Sequence, residues 1–498
     1  MRSRRATDRR RATVGERSTP GTDARRVGPG RLVPGFPRRR RPWSHGRVRA
    51  LDELSEIVGA PHLLTSADDR APYEVDWTGR FRGSAPAVVR PGRAAEVAAV
   101  VDVCRAHGLA LVPQGGNTGL VGGGVPLEGE VVLSLRRLDA VGPVDAVAHQ
   151  ATAGAGATVG AVQAAAAEHG LRYAVDFAAR DTATVGGTVA TNAGGVHVLR
   201  YGSTREQVLG VEAVLGDGHR IDRLEGLVKD NTGYHLASLL CGSEGTLGVV
   251  TAARLRLTAR LPHRVVALVA FDGVRGAVEA VAAWRSDLGS LEAAELVLEP
   301  GLRLVCEAFG LPRPFDRAWP AYVLVEAAAH HDPTDDLAAA VRAVAPAAVA
   351  VAPDRARGAE LWRYREDQTL AVATVGTAHK LDVTVPLAAL TDFVEEVPRR
   401  VAAIHPAART WIFGHLGDGN LHVNVTGVAD GDDTVDELVL THVAELGGSI
   451  SAEHGVGTAK RRWLHLTRSA AEIAAMRSIK RALDPDGILN PHALLPGE

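Results

Sequence analysis

Pro113-Gln114-Gly115-Gly116-Asn117-Thr118-Gly119, followed by Gly122-Gly123-Gly124, is the stretch on which the fold turns. It comes directly after Leu109 to Val112, a short apolar run that reads as a strand. A glycine-rich loop leaving a strand exposes backbone N–H groups and lets a diphosphate approach closely. No Gly-Lys-Ser/Thr follows, so it is not a Walker loop. Upstream, Ala87-Val88-Val89 reads as a strand ending at Pro91-Gly92. Val97, Val100, Val101 and Cys104 then recur at helical spacing as far as Gly108, a C′ glycine. The loop therefore closes a β-α-β unit, and Val131 to Leu135 supplies the next strand.

Two more glycine clusters follow. One holds Asp176, Gly186-Gly187-Thr188 and Asn192-Ala193-Gly194-Gly195. The other, Cys241-Gly242-Ser243-Glu244-Gly245-Thr246-Leu247-Gly248, enters the strand Val249-Val250-Thr251. Each alone is an ordinary turn signal. Three attached to strands point to one extended ligand that needs close backbone approach at several places. Gly154 to Gly160 misses the dinucleotide fingerprint by one residue, with Val159 where glycine is required, so a Rossmann NAD site is rejected. Thr158 reads instead as the N-cap of a helix closed by Gly170.

Past Leu261 glycines thin out. Strands (Val265 to Phe271, Tyr322 to Val325, Leu381 to Val385) alternate with Ala-rich helices such as Leu337 to Val344, which reads as α+β with an antiparallel sheet. Within this region lies Gly414-His415-Leu416-Gly417-Asp418-Gly419-Asn420-Leu421-His422-Val423-Asn424. Asp-Gly favours a two-residue hairpin turn. That register sets His415 opposite His422, with Asn424 on the same face. Two imidazoles and an amide on one face begin a metal site; the plain alternative is a polar hairpin with surface histidines. A final helix, Ser469 to Leu483, opens on a capping box of Ser469 and Glu472, with Ile473, Met476, Ile479 and Leu483 as its buried stripe.

The chain has 498 residues, 46% of them hydrophobic, 4% aromatic, and 54 glycines, as suits a globular α/β-type chain with many tight turns. Its formal charge is −2, unevenly placed: residues 1–50 hold sixteen arginines against three acidic residues. That start has no apolar segment of a secretory signal and reads as a disordered basic extension over 1–48. A nucleic-acid arm is its alternative reading. No apolar run approaches the roughly 20 residues of a membrane span. Cys104, Cys241 and Cys306 are too scattered for a metal, redox or disulfide framework, which fits a reducing, cytoplasmic setting.

The three glycine clusters in this order, then Gly414-His415…His422-Val423-Asn424 and Glu453-His454-Gly455, resemble the FAD-dependent D-2-hydroxy-acid dehydrogenases of the vanillyl-alcohol-oxidase-like superfamily. The resemblance covers about residues 51–496. It implies a two-lobed FAD-binding domain over 49–259, an α+β substrate domain over 260–440, and a C-terminal segment over 441–498 that returns to the flavin. It implies that Pro113, Gln114, Gly115, Gly116, Asn117, Thr118, Gly122 and Gly123 cradle the diphosphate. Asp176, Gly186, Gly187, Thr188, Asn192, Gly195, Val249 and Asn490 would line the rest of the flavin site. Past Asn490-Pro491 the usual residues differ, with His492 and Ala493 here. No histidine lies in the first loop, so FAD is expected to be noncovalent. The resemblance further implies His415, His422 and Glu453 as ligands of a divalent, zinc-like metal and His454 as the base. Two imidazoles and a carboxylate leave positions open, as catalytic metal sites do. If Glu453 and His454 both serve the site, the backbone must turn there, which Gly455 allows.

Arg365 matches a substrate-carboxylate arginine, its alternative being a surface pair with Glu366. Thr369 lies one turn on along the expected helix. Thr369 with Lys380 is typical of relatives acting on D-2-hydroxyglutarate and is generally replaced in those acting on D-lactate or glycolate. A second cation suits a second carboxylate, although Asp382 could pair Lys380 and leave it structural. The expectation is oxidation of a D-2-hydroxy acid, foremost D-2-hydroxyglutarate, with D-lactate or glycolate as the alternative. A zinc hydrolase on the same histidines and a flavin-fold transferase are the other classes considered. The partners expected are the hydroxy acid and an electron acceptor (flavoprotein, quinone or cytochrome), without nucleic acid or membrane span, and with a homodimer as the candidate assembly.

Overall fold

A computed structural model describes residues 46–429 and 431–497, so the expected basic extension lies outside the described residues except for its last positions. The chain first builds two small sheets. In the first, Leu63–Leu64, Val88–Val89, Val131–Ser134 and Leu111–Gln114 lie side by side in that order, the last three parallel. The helix Ala94–His107 buries Val97, Val100, Val101 and Cys104 and ends at Gly108 with φ +62°, as its spacing predicts. The second sheet is antiparallel: Gln150–Gly154, Gly248–Arg256, Val208–Leu215 and Arg220–Arg223. Thr158 caps the helix Val159–Ala167, its side chain accepting the N–H of Ala161.

The third sheet has seven strands in the order Ala348–Val351, His263–Phe271, Ala321–Ala329, Leu291–Leu298, Arg409–His415, Asn420–Thr426, Ala378–Thr384, every pair antiparallel. One face is packed by the helices Val274–Asp287, Thr334–Ala343, Leu390–Ile404 and Thr434–Glu445, around Val269, Trp284, Val323, Phe393, Leu421 and Val423. Glu299–Phe309 and Arg355–Glu366 cover part of the other face through Leu302, Cys306 and Tyr364. Because side chains alternate along a strand, burying Leu421, Val423 and Val425 on the first face turns Asn420, His422 and Asn424 to the second.

The second sheet's lobe is tied to the seven-stranded sheet by buried charge. Arg172 and Arg200 lie 2.7 and 2.9 Å from Glu292; within the seven-stranded sheet and its covering helix, Arg264 lies 2.7 Å from Glu326 and Trp362 Nε1 donates to it at 2.9 Å. Both carboxylates are wholly buried and charge-paired, as burial requires. The C-terminal segment returns to the first sheet: Leu111 donates to Ile488 O and Asn490 to Leu111 O, each at 2.8 Å.

The expected stripe on the last helix is only partly realised. The capping box of Ser469 and Glu472 forms, and Ile473 is buried, but Ile479 is 37% exposed. The helix is held instead by Lys480, whose ammonium donates to Thr246 O and Leu489 O and pairs with buried Asp484.

Candidate active site

His415 and His422 are not paired across a two-residue turn. The register sets His415 opposite Asn420 and His422 opposite Phe413, leaving Leu416 to Gly419 as a four-residue loop. Gly419 takes φ +82°, while Asp418 keeps a negative φ and uses its carboxylate to accept the N–H of Asn420. Tertiary bonds enforce this. Leu416, buried, donates to Ala294 O, and Gly419 O accepts from Val385. The pairing is displaced by two residues, and an even displacement preserves the face. The imidazoles remain neighbours, ring centroids 5.5 Å apart.

Between the rings sits Glu453. Its Oε1 is 3.7 Å from Nε2 of His415, 3.7 Å from Nε2 of His422 and 3.9 Å from Nε2 of His454. Residues 451–456 are irregular rather than a strand, and Gly455 has φ +85°, so adjacent Glu453 and His454 both reach the cluster. Burial alone would raise the Glu453 carboxyl, but the hydrogen bond and charge of His415 hold it down at about 2. Burial pushes His422 down to about 3, which keeps its imidazole neutral with a lone pair to give. Burial pulls His415 the same way, but Glu295 and Glu453 outweigh it and raise it well above the usual value. Charge that favours a proton there also favours a metal cation. A carboxylate oxygen facing three imidazole nitrogens is a donor set that suits a divalent cation.

Several groups unforeseen in the sequence hold this cluster. Glu295 Oε1 lies 2.7 Å from His415 Nδ1, which turns the ring's Nε2 toward Glu453. Asp382, fully buried, accepts the N–H groups of Ala452, Glu453 and His454 on one oxygen (3.1, 2.8 and 2.8 Å) and the Asn420 amide on the other. Burial opposes its ionisation, yet the neighbouring His454, whose N–H it accepts, and the Lys460 ammonium hold it well below the usual range. From the first half of the chain, Glu244 accepts the N–H groups of Val456 and Gly457, each at 2.7 Å. Gly195 N–H donates to Glu453 Oε2 at 2.9 Å, and a Cβ on Gly194 would stand 2.9 Å from that oxygen. The second glycine cluster thus meets the carboxylate. A signal for Glu295 existed: glutamates at 292 and 295 interrupt an otherwise apolar strand.

Arg365 and Lys380 are brought to the same face. Arg365 is buried, 2.8 Å from Glu295 Oε2, with its guanidinium 4.9 Å from the Phe413 ring, and is not a surface partner of Glu366. Thr369 is not on the same helix: Arg355–Glu366 ends and Gln368–Thr374 begins around Asp367, and Thr369 stands in the first turn of the latter. Lys380 stands opposite Asn424, and Asp382 opposite His422. Asp382 does not pair with Lys380. Among the described residues Lys380 makes no ion pair, and its ammonium lies 4.8 Å above the Trp77 ring.

The predicted flavin residues fall into two groups. Gln114, Gly115, Gly116 and Asn117 line a cleft of about 610 Å³ that shares Arg136 with a second of about 460 Å³, walled by Gly156, Thr158 and Thr184. Two adjoining clefts edged by glycine backbone suit a dinucleotide such as FAD. Others support it. Gln114 donates to Tyr73 O and Gly124 O, Gly186 lets its helix approach Ala155, and Asn192 caps that helix at φ +52°. Asn490 joins Gly123 O to Glu244 O, and Gly122 makes room for Phe81. Asp176 pairs with Arg180 at 2.5 Å; Pro113 packs against Gly245; Thr188 and Val249 are buried, with Thr188 bonded to Val185 O. His197, Glu292 and Glu326 also cluster, but the arginines described above already neutralise those carboxylates.

Residues 85–222 match the FAD binding domain model, and 260–494 match that of FAD linked oxidases, C-terminal domain. The chain is 42% identical to a D-2-hydroxyglutarate dehydrogenase of Xanthomonas citri pv. viticola, over 89% of this chain and 96% of that protein. It is 36% identical to the mitochondrial D-2-hydroxyglutarate dehydrogenase of Bos taurus, over 93% of this chain and 86% of that one. Among solved structures it is similar to p-cresol methylhydroxylase with substrate bound, at 16% identity and a TM-score of 0.72, covering 90% of this chain and 97% of that one. That likeness supports the two-lobed FAD-binding fold with its antiparallel sheet.

Proposed function

Because the chain belongs to the D-2-hydroxyglutarate dehydrogenase family of FAD-linked oxidases, we propose that it oxidises D-2-hydroxyglutarate to 2-oxoglutarate with noncovalent FAD and a divalent, zinc-like metal. FAD, when bound, would supply the two-electron acceptor for the hydride leaving C2 of the substrate. A divalent cation held by His415, His422 and Glu453 would supply positive charge against the developing charge on the hydroxyl oxygen. His454, beside Glu453 and fixed through its backbone by Asp382, accepts the hydroxyl proton. Asn424 and Arg365 face the same end of the sheet and orient the substrate. Thr369 and Lys380 receive the second carboxylate. The electrons leave to a flavoprotein, quinone or cytochrome, and three buried free cysteines suit a reducing cytoplasmic setting.

The observation that carries the diacid reading is Lys380, a cation on the site face without a carboxylate partner among the described residues. It favours a diacid over D-lactate or glycolate, which have no second carboxylate to pair with it. Lys380→Ala should raise the half-saturating concentration of D-2-hydroxyglutarate by about tenfold or more and leave that of D-lactate nearly unchanged. Equal losses on both substrates would sink the diacid reading.

A further inference from the structure

We propose that Arg80 and Trp77, from the first half of the chain, complete the Lys380 end of the site as a subsite for the second carboxylate of a short aliphatic D-2-hydroxy diacid. This rests on the diacid reading and extends it to residues outside the substrate sheet.

Trp77 and Arg80 sit at the tip of a loop closed by a bridge between Val75 and Arg82. Its shape is set internally. Buried Asp76 accepts the Phe81 N–H at 3.2 Å and the Thr78 hydroxyl at 2.6 Å, Arg80 N–H donates to Thr78 Oγ1 at 3.1 Å, and Gly79 N–H donates to Asp76 O at 3.1 Å. The tip is therefore preformed, which lowers the ordering cost of binding. Trp77 is 55% exposed, unusual for so large an apolar ring, and its face meets the Lys380 ammonium at 4.8 Å.

Arg80 is half-buried and, like Lys380, has no ion pair among the described residues. Burial lowers Lys380 and the charge of Arg80 lowers it further; the same charge opposes the protonation of His379 next to it. Arg80 shares the loop tip with Trp77, whose ring meets Lys380, and neither cation has an ion-pair partner among the described residues. A carboxylate placed there would gain charge-assisted contacts from both cations. Along the strand, Lys380 is two residues from Asp382, roughly 7 Å, a separation that a short aliphatic chain spans from the hydroxyl end at the imidazoles.

The test uses full-length, FAD-loaded protein and anaerobic flavin reduction by D-2-hydroxyglutarate and by D-lactate. For Arg80→Gln the half-saturating concentration of the diacid should rise about tenfold, with the limiting rate within about threefold and the D-lactate value within about twofold. Arg80→Lys, which keeps the charge, should recover most of the diacid affinity. An unchanged diacid value in Arg80→Gln, or an equal shift for both substrates, overturns the subsite. If the glutamine variant fails to retain FAD, the lysine variant decides: preserved preference for the diacid supports the subsite, and equal losses overturn it. A wild-type protein that D-2-hydroxyglutarate does not reduce overturns the diacid reading and the subsite with it. A wild type so reduced, with an indifferent Arg80→Gln, overturns the subsite alone.

Discussion

Glu295 reaches across adjacent strands to His415, its Oε1 2.7 Å from Nδ1, and so decides which nitrogen of that ring faces Glu453. Partners of this kind fix the tautomer and orientation of a ligating imidazole, and their loss typically costs 10–100-fold in metal affinity. Glu295→Gln should weaken zinc retention by about that factor in a chelator competition while FAD content stays at the wild-type level. Unchanged retention would remove Glu295 from the site's support.

Two carboxylates from distant parts of the chain hold the segment that carries Glu453 and His454. Asp382 takes three of its N–H groups, and Glu244 takes the two at Val456 and Gly457. Glu244→Gln puts a donor where an acceptor is needed. The limiting rate of flavin reduction should fall about tenfold or more, with the half-saturating substrate concentration nearly unchanged. A rate within twofold of wild type would show that Asp382 alone positions the segment.

His379 and Asp436 form a buried pair at 2.5 Å. The hydrogen bond to Asp436 raises the His379 pKa above its ordinary 6.5. A raised folded-state pKa contributes stability that is fully present below the unfolded value and lost as pH rises through the folded one. The gap in melting temperature between wild type and Asp436→Asn should therefore be larger near pH 6 than near pH 9. A gap that grows with pH would contradict this pairing.

Much of this was legible in the residues because it depends on local chemistry. Glycine spacing located the loops, and apolar periodicity located Ala94–His107 and its αL cap. The hairpin showed the limit. Asp418-Gly419 favours a tight turn locally, but Leu416 and Gly419 find partners on neighbouring strands that impose a longer loop. The site survived only because the register moved by two. Glu295, Asp382 and Glu244 were harder to foresee, since each acts on atoms up to about two hundred residues away (Glu244 on Gly457, for example). The last helix misled for a related reason: a lysine reaching buried carbonyls anchors it in place of the apolar stripe.

The most direct test is anaerobic flavin reduction by D- and L-2-hydroxyglutarate, with the metal removed by chelator and then restored as zinc. Reduction by the D enantiomer alone, lost with chelator and recovered with zinc, is the predicted result. Reduction that is indifferent to chelator, or equal for both enantiomers, would contradict a metal-assisted D-2-hydroxy-acid site built on His415, His422 and Glu453.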